Sequence, residues 1–365
     1  MNDDDKKSED KKSNSNDGTT RRSFLAAASA AFAMGSLTSC GTDDPASKKL
    51  KATAEQASGK FTGQSRVALV HCENYKEDVF QLIKPHLEKL QLPDLKNKTA
   101  VLKINMVEFR EGKPIFTNPA VVHGAIELVK HLGARDVVVG EGPGHMRDTQ
   151  YLLQATGVGD LLKGLGVRFV DLNLDELEKV ELAHSFSKLD HFMLPRTVAK
   201  ADALISVPKL KTHHWVGITA SMKNLFGIVP GRHYGWPKNI LHWHGIDECI
   251  LDLNRLRRPT FAVVDGVVAM EGDGPLNGVA KETKVVVVGN DVAAVDATCA
   301  RIMQLPDLDK IKYLRVAGEC IGNIAADKIE LIGTPLNTVA QKFELPACLQ
   351  PGGIMAHIKV GELDS

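Results

Sequence analysis

The chain has 365 residues, a formal net charge of zero and 43% hydrophobic residues. That length fits one large or two ordinary domains, and the composition supports a sizeable core. A neutral chain offers no overall field for nucleic acid, so any electrostatic function must come from local patches.

Residues 1–22 are polar, charged and free of aromatics, a composition that predicts disorder. Arg21 and Arg22 then precede an apolar, Ala/Ser-rich run from Phe24 to Leu37, too short to span a bilayer as a stable helix. This pattern resembles a twin-arginine export signal, although no lysine closes the arginine pair. Leu37-Thr38-Ser39-Cys40 resembles a bacterial lipobox, which implies lipidation of Cys40 and a periplasmic or cell-surface, membrane-anchored protein. Residues 41–64 read as a polar tether.

From Arg66 onward, strand and helix patterns alternate. "RVALVHCE" reads as a buried strand, and "YKEDVFQLIKPHLEKLQ" has helical periodicity. "TAVLKINMV" is a strand, and Thr117-Asn118-Pro119 opens a helix that stops at Gly133. "DVVVGEG" is a strand, "QYLLQATGVGDLLKGLG" a helix in two pieces, and "VRFVDLN" a strand. "ADALISVPKL" continues the strands, "GIDECILDLNRLRR" is a helix, and "TFAVVDGVVAMEGDGP" and "TKVVVVGND" are strands. Two helices, "VAAVDATCARIMQ" and "IKYLRVAGECIG", and the strand "KIELIG" follow. The spacing predicts an α/β fold, a mostly parallel sheet covered by helices, over residues 65–333. A polar stretch at 174–200 marks a seam between two expected lobes, and 334–365 reads as a C-terminal extension.

Parallel sheets bind ligands beyond the carboxyl ends of their strands. Four chemically loaded loops fall there: Lys103–Asn105, Gly140–Gly144, Lys209–His214 and Asp265–Pro275. Between Ala203 and His244 there are five Lys/Arg, five His and no Asp or Glu. A solvated surface mixes signs, so this stretch points to a small anionic ligand, a phosphate or carboxylate. The expected binding set is Lys103, Asn105, Lys209, Lys211, Asn224, Asp265 and Asp296. His213, Lys223 and Glu271 are the candidates for chemistry. Histidine titrates near neutrality and ligates metals, so His213 and His242 are also metal candidates. The acids Asp265, Glu271, Asp273, Asp291 and Asp296 suit a divalent cation, or, for Asp291, a helix cap. Beyond Cys40, the cysteines at 72, 249, 299, 320 and 348 show no CxxC spacing and read as buried thiols rather than iron–sulfur or zinc ligands.

The segments "VLKINM", "FTNPAVVHGAIELV", "VGEGPG", "ADALISVPKLKTHHWVGITASMKNLFGIVP", "VVDGVVAMEGDGP" and "GNDVAAVDA" together resemble the DUF362 family, from about Arg66 to Gly333. Many members of that family carry ferredoxin-like iron–sulfur modules, whose cysteine clusters this chain lacks. A second, local resemblance links His213, Gly217, Lys223 and the Gly227–Gly231 turn to nickel-dependent lactate racemases. It implies that Lys223 carries a nickel-pincer nucleotide, with His213 as acid/base and His242 as a nickel ligand. Ser221-Met222 stand where that family has a glycine pair. The expectation is an anion-binding protein, an enzyme or a non-catalytic solute- or partner-binding lipoprotein, with the nickel enzyme as a further alternative.

Overall fold

The computed structural model describes residues 59–305 and 307–350, all of which fall in one compact unit. Arg21, Arg22 and Cys40 lie outside the described residues. Twelve strands are present among them: β1 (Ser65–His71), β2 (Thr99–Ile104), β3 (Asp136–Glu141), β4 (Arg168–Asp171), β5 (Leu177–Glu181), β6 (His191–Pro195), β7 (Ala203–Val207), β8 (Lys209–His213), β9 (Gly217–Thr219), β10 (Phe261–Glu271), β11 (Val279–Gly289) and β12 (Ile329–Gly333). Ten of them form one sheet in the order β12-β1-β11-β10-β7-β2-β3-β4, with β8 joined to β10 and β9 to β8.

The sheet is mixed and mostly parallel. β10, β7, β2, β3 and β4 run parallel to their neighbours, whereas β11 lies antiparallel between β1 and β10. Both faces are apolar because both are covered. In β1, Val67 and Leu69 enter one core cluster, and Ala68 and Val70 enter the other. This period-2 split is why the central strands read as unbroken apolar runs rather than alternating ones. The helices Ile246–Leu256, Val292–Ile302 and Lys312–Cys320 cover one face, and Pro119–His131, Thr149–Thr156 and Val158–Leu165 the other.

Several boundaries follow local chemistry. Asn118 caps the Pro119–His131 helix through Ala120 N–H at 2.9 Å, with Pro119 in the first turn where no N–H is needed. Asp291 caps Val292–Ile302. The 79–90 region is less regular than its periodicity predicts. Pro85 breaks it into two short α-helices around a 3-10 turn.

The 174–200 segment holds the hairpin β5–β6 with Val180, Phe192 and Leu194 buried. Strands from both sides of that segment share the one sheet. No described helix is long and apolar enough to cross a membrane. The five cysteines at 72, 249, 299, 320 and 348 are free thiols, the first three buried.

Candidate functional site

At the carboxyl ends of β2, β3 and β8 the sheet opens into a cavity of about 290 Å³. Its walls include Lys103, Asn105, Glu141, Lys211, His213, Lys223, Asn224, Lys238 and His242. The loop after β3 and the turn between β10 and β11, with Asp273, also line it.

Lys103 and Glu141 form the floor. Their side chains are fully buried, with Nζ 2.7 Å from Oε1. Glu141 also accepts the N–H groups of Met106 at 2.7 Å and Gly142 at 2.8 Å. Gly227 closes over this pair: a Cβ there would lie 2.5 Å from Lys103 Nζ and 2.6 Å from Glu141 Oε1. Any larger residue at 227 would therefore have to displace this ion pair. Asn224 locks the neighbourhood by donating to Lys103 O at 2.8 Å and accepting from Lys103 Nζ at 3.3 Å.

Three further lysines meet the cavity without a carboxylate partner in salt-bridge reach among the described residues. Lys211 Nζ donates to Asn105 Oδ1 at 2.7 Å and Ile115 O at 2.8 Å. Lys238 Nζ donates to the carbonyls of Gly142 and Phe226, both at 3.1 Å. Lys223 Nζ has no hydrogen bond or ion pair among the described residues and lies 4.1 Å from the centroid of the Phe226 ring. Burial pushes each of the three down to about 7; Lys223 further depresses Lys211, and Lys103 depresses Lys223.

The histidines are oriented by backbone. His213 Nδ1 accepts the N–H of Trp215 at 3.1 Å, so the neutral ring carries its proton on Nε2. Burial holds His213 well below its ordinary pKa, and Lys223 adds to this. His214 and His242 do the reverse. Each places Nδ1 about 3 Å from a carbonyl, Gly274 O at 2.9 Å and Lys238 O at 3.0 Å, and keeps an Nε2 lone pair. No three His, Cys, Asp or Glu side chains among the described residues are grouped to hold a metal ion.

Not every expected residue reaches the cavity. Lys209 and Lys211 alternate along β8, but β8 meets β10 through a register shift between Asp265 and Met270. Lys209 ends in a closed set, donating to Asp265 Oδ2 at 2.5 Å, Tyr75 Oη at 2.8 Å and Val268 O at 3.1 Å. Asp265 also accepts Asn118 N–H at 2.8 Å, so this pair braces strands. Glu271 holds Lys281 at 3.1 Å and accepts Glu344 N–H at 2.9 Å, away from the cavity.

Asp296 is also outside. It accepts Ser221 N–H at 2.7 Å, Met222 N–H at 3.2 Å and Tyr313 O–H at 3.1 Å, and so fixes the turn that presents Lys223. Two residues of the site were missed by sequence reasoning. Glu141 stood in a glycine loop and could have been found as a strand-end carboxylate. Lys238 was counted in the acid-free stretch, but nothing in its Gly/Pro/Trp loop singled it out from the other cations.

The class defined so far is an α/β protein with a lysine-rich cavity at strand carboxyl ends. A family model described as "Domain of unknown function (DUF362)" matches residues 100–301, and the chain belongs to that family. A thylakoid-associated protein of Synechocystis sp. is 29% identical over 252 residues, 66% of this chain and 74% of that protein. The lactate racemase apoprotein from Thermoanaerobacterium thermosaccharolyticum is a structural neighbour at 14% identity and a TM-score of 0.41, covering 67% of this chain and 58% of that one. A Thermotoga maritima protein follows at 11% identity and a TM-score of 0.33, covering 61% and 59%. The chain thus spans less than two thirds of either solved structure.

Proposed function

We propose that the cavity binds a small anion, a carboxylate or a phosphate, and that the protein acts on it as an enzyme. The observation that carries this reading is the convergence of Lys211, Lys223 and Lys238 without carboxylate partners in salt-bridge reach among the described residues. Buried ammonium groups lose hydration and need a counter-charge, and among the described residues the cavity wall supplies only Glu141, already engaged by Lys103, and Asp273, whose Oδ1 accepts Ala347 N–H at 2.7 Å. An incoming anion would supply the missing partner. His213 would add a neutral Nε2–H donor, and Asn105 orients Lys211.

Calorimetric titration with a panel of carboxylates and phosphates tests the reading. Lys211→Met and Lys238→Met are expected to weaken the best binder roughly 10- to 100-fold each, the worth of a charge-assisted hydrogen bond. Unchanged affinity in both variants would place the ligand elsewhere. A non-catalytic solute-binding protein would show the same binding without turnover.

A metal-carrying enzyme is the second reading, favoured by the unpartnered Lys223 amine and the free Nε2 of His242. Lys223 would hold such a group and His242 would offer it one nitrogen. The grouped side chains do not complete a metal site, so the group would bring donors of its own.

The location proposed with these readings is export and anchoring through Cys40, supported by the Arg21-Arg22 pair and the segment ending at Cys40. Protein extracted from its native membranes is expected to begin at a lipidated Cys40 by intact mass. An N-terminus at Met1 would reject the anchor, and stoichiometric nickel in the same sample would favour the second reading.

A further inference from the structure

We propose that Lys223 forms an imine with the carbonyl group of an anionic substrate, a small 2-oxo acid or a phosphorylated ketone. The inference rests on the anion-site reading and assigns separate tasks to lysines that composition cannot tell apart. Lys103 is neutralised by Glu141 and held by Asn224. Lys211 and Lys238 each donate to two fixed oxygens, so their nitrogens are tethered. Of the four, Lys223 alone lines the cavity with no oxygen bound to its nitrogen among the described residues, and that nitrogen lies over Phe226, another wall residue. A nucleophilic amine needs that freedom, because its lone pair must reach a carbonyl carbon.

The surroundings suit the reaction. The Phe226 face shields one side of Nζ, and burial, with Lys103 adding to it, favours the neutral amine. The turn that carries Lys223 is rigid, because Asp296 accepts both N–H groups at its start and Tyr313 O–H braces Asp296. Tethered ammoniums at Lys211 and Lys238 would hold the substrate's carboxylate or phosphate, leaving its carbonyl for Lys223.

The step balances without an oxidant or reductant. Nζ forms a bond to the carbonyl carbon, and the π pair moves to oxygen, which takes a proton. The carbon–oxygen bond then breaks, the nitrogen lone pair forms the C=N bond, and water leaves with the two amine hydrogens. His213 Nε2–H is the neutral donor available to the departing oxygen, and the ring recovers its proton from nitrogen.

Trapping tests the proposal on the full chain. Pyruvate and dihydroxyacetone phosphate are each added with borohydride, and the reduced adduct is mapped by peptide mass spectrometry. An adduct on Lys223 with either probe is expected, the responding probe telling carboxylate from phosphate, and none with lactate, which lacks the carbonyl. Lys223→Arg is expected to abolish it, with near-ultraviolet circular dichroism confirming the fold. Binding of either probe and of lactate without an adduct, or an adduct mapped to Lys238 or another lysine, overturns the imine and leaves the anion site standing. If no probe and no panel anion binds, both readings fall.

Discussion

Glu141→Ala is expected to lose about 3–5 kcal/mol of stability in denaturant unfolding, the cost of removing one partner of a buried ion pair. The pair is closed to solvent on both sides, with Lys103 at 0% and Glu141 at 1% exposure. Removing the carboxylate leaves Lys103 Nζ buried without its counter-charge. It also orphans the N–H groups of Met106 and Gly142, which Glu141 now satisfies. Burial already pulls the Lys103 pKa down against the attraction of Glu141, so the isolated lysine would lose its proton rather than stay charged. A double variant, Lys103→Met with Glu141→Gln, keeps the side-chain volumes, removes both charges and retains one of the two acceptor oxygens, and is expected to recover part of the loss. A Glu141→Ala cost under about 1 kcal/mol would show that the floor of the cavity is not held by this pair.

Lactate affinity, or that of another carboxylate fully ionised above pH 5, is expected to rise as pH falls through about 7. The sign follows from Lys211, Lys223 and Lys238, all pushed down to about 7. Above that pH they are largely neutral in the free protein and must take up protons to bind an anion. Affinity then falls by about tenfold per pH unit for each lysine that must be protonated.

The other groups facing them do not reverse this. Lys103 and Glu141 remain paired, and His213 and His242 are held neutral by burial, with nearby cations adding to the effect. Asp247 is raised to about 6, so its protonation at lower pH removes a competing negative charge. Asp273 is engaged with Ala347 N–H.

Without ligand the dependence runs the other way. Unfolded lysines titrate near ~10.4. Between about 7 and that value the unfolded chain binds more protons, so stability of the free protein rises with pH across that window. Calorimetry in buffers of different ionisation heat reads the proton uptake, and an affinity flat from pH 6 to 9 would reject lysine-based binding. At saturating probe, imine trapping has the opposite slope, since the chemical step needs the neutral Lys223 amine.

Much of the architecture was legible before any coordinates. The runs at 67–70, 100–102 and 285–288 are apolar at consecutive positions, as a strand buried on both faces allows. Asn118-Pro119 and Asp291 marked helix starts because their side chains satisfy N–H groups that the helix itself cannot. The stretch from Lys209 to His242 stood out as the candidate site because it holds many cations and no acid.

What the sequence could not separate was one lysine from another. Lys209 and Lys211 have equal claims by alternation, yet Lys209 is paired with Asp265 on β10, whereas Lys211 reaches Asn105 Oδ1 and Ile115 O at the cavity. Asp296, taken for a ligand contact, serves instead as the anchor of the Lys223 turn. Lys238 sits at a φ of 72°, a left-handed conformation uncommon for lysine, and is held there in a loop without periodicity. The sequence by itself determined the layered α/β fold and the stretch of chain where charge would gather, since periodicity and composition are local properties. Only the tertiary structure decided which ammonium is neutralised, which is tethered and which is free, because the carboxylates, the Asn105 amide and most of the carbonyls that settle the matter come from strands or loops distant along the chain.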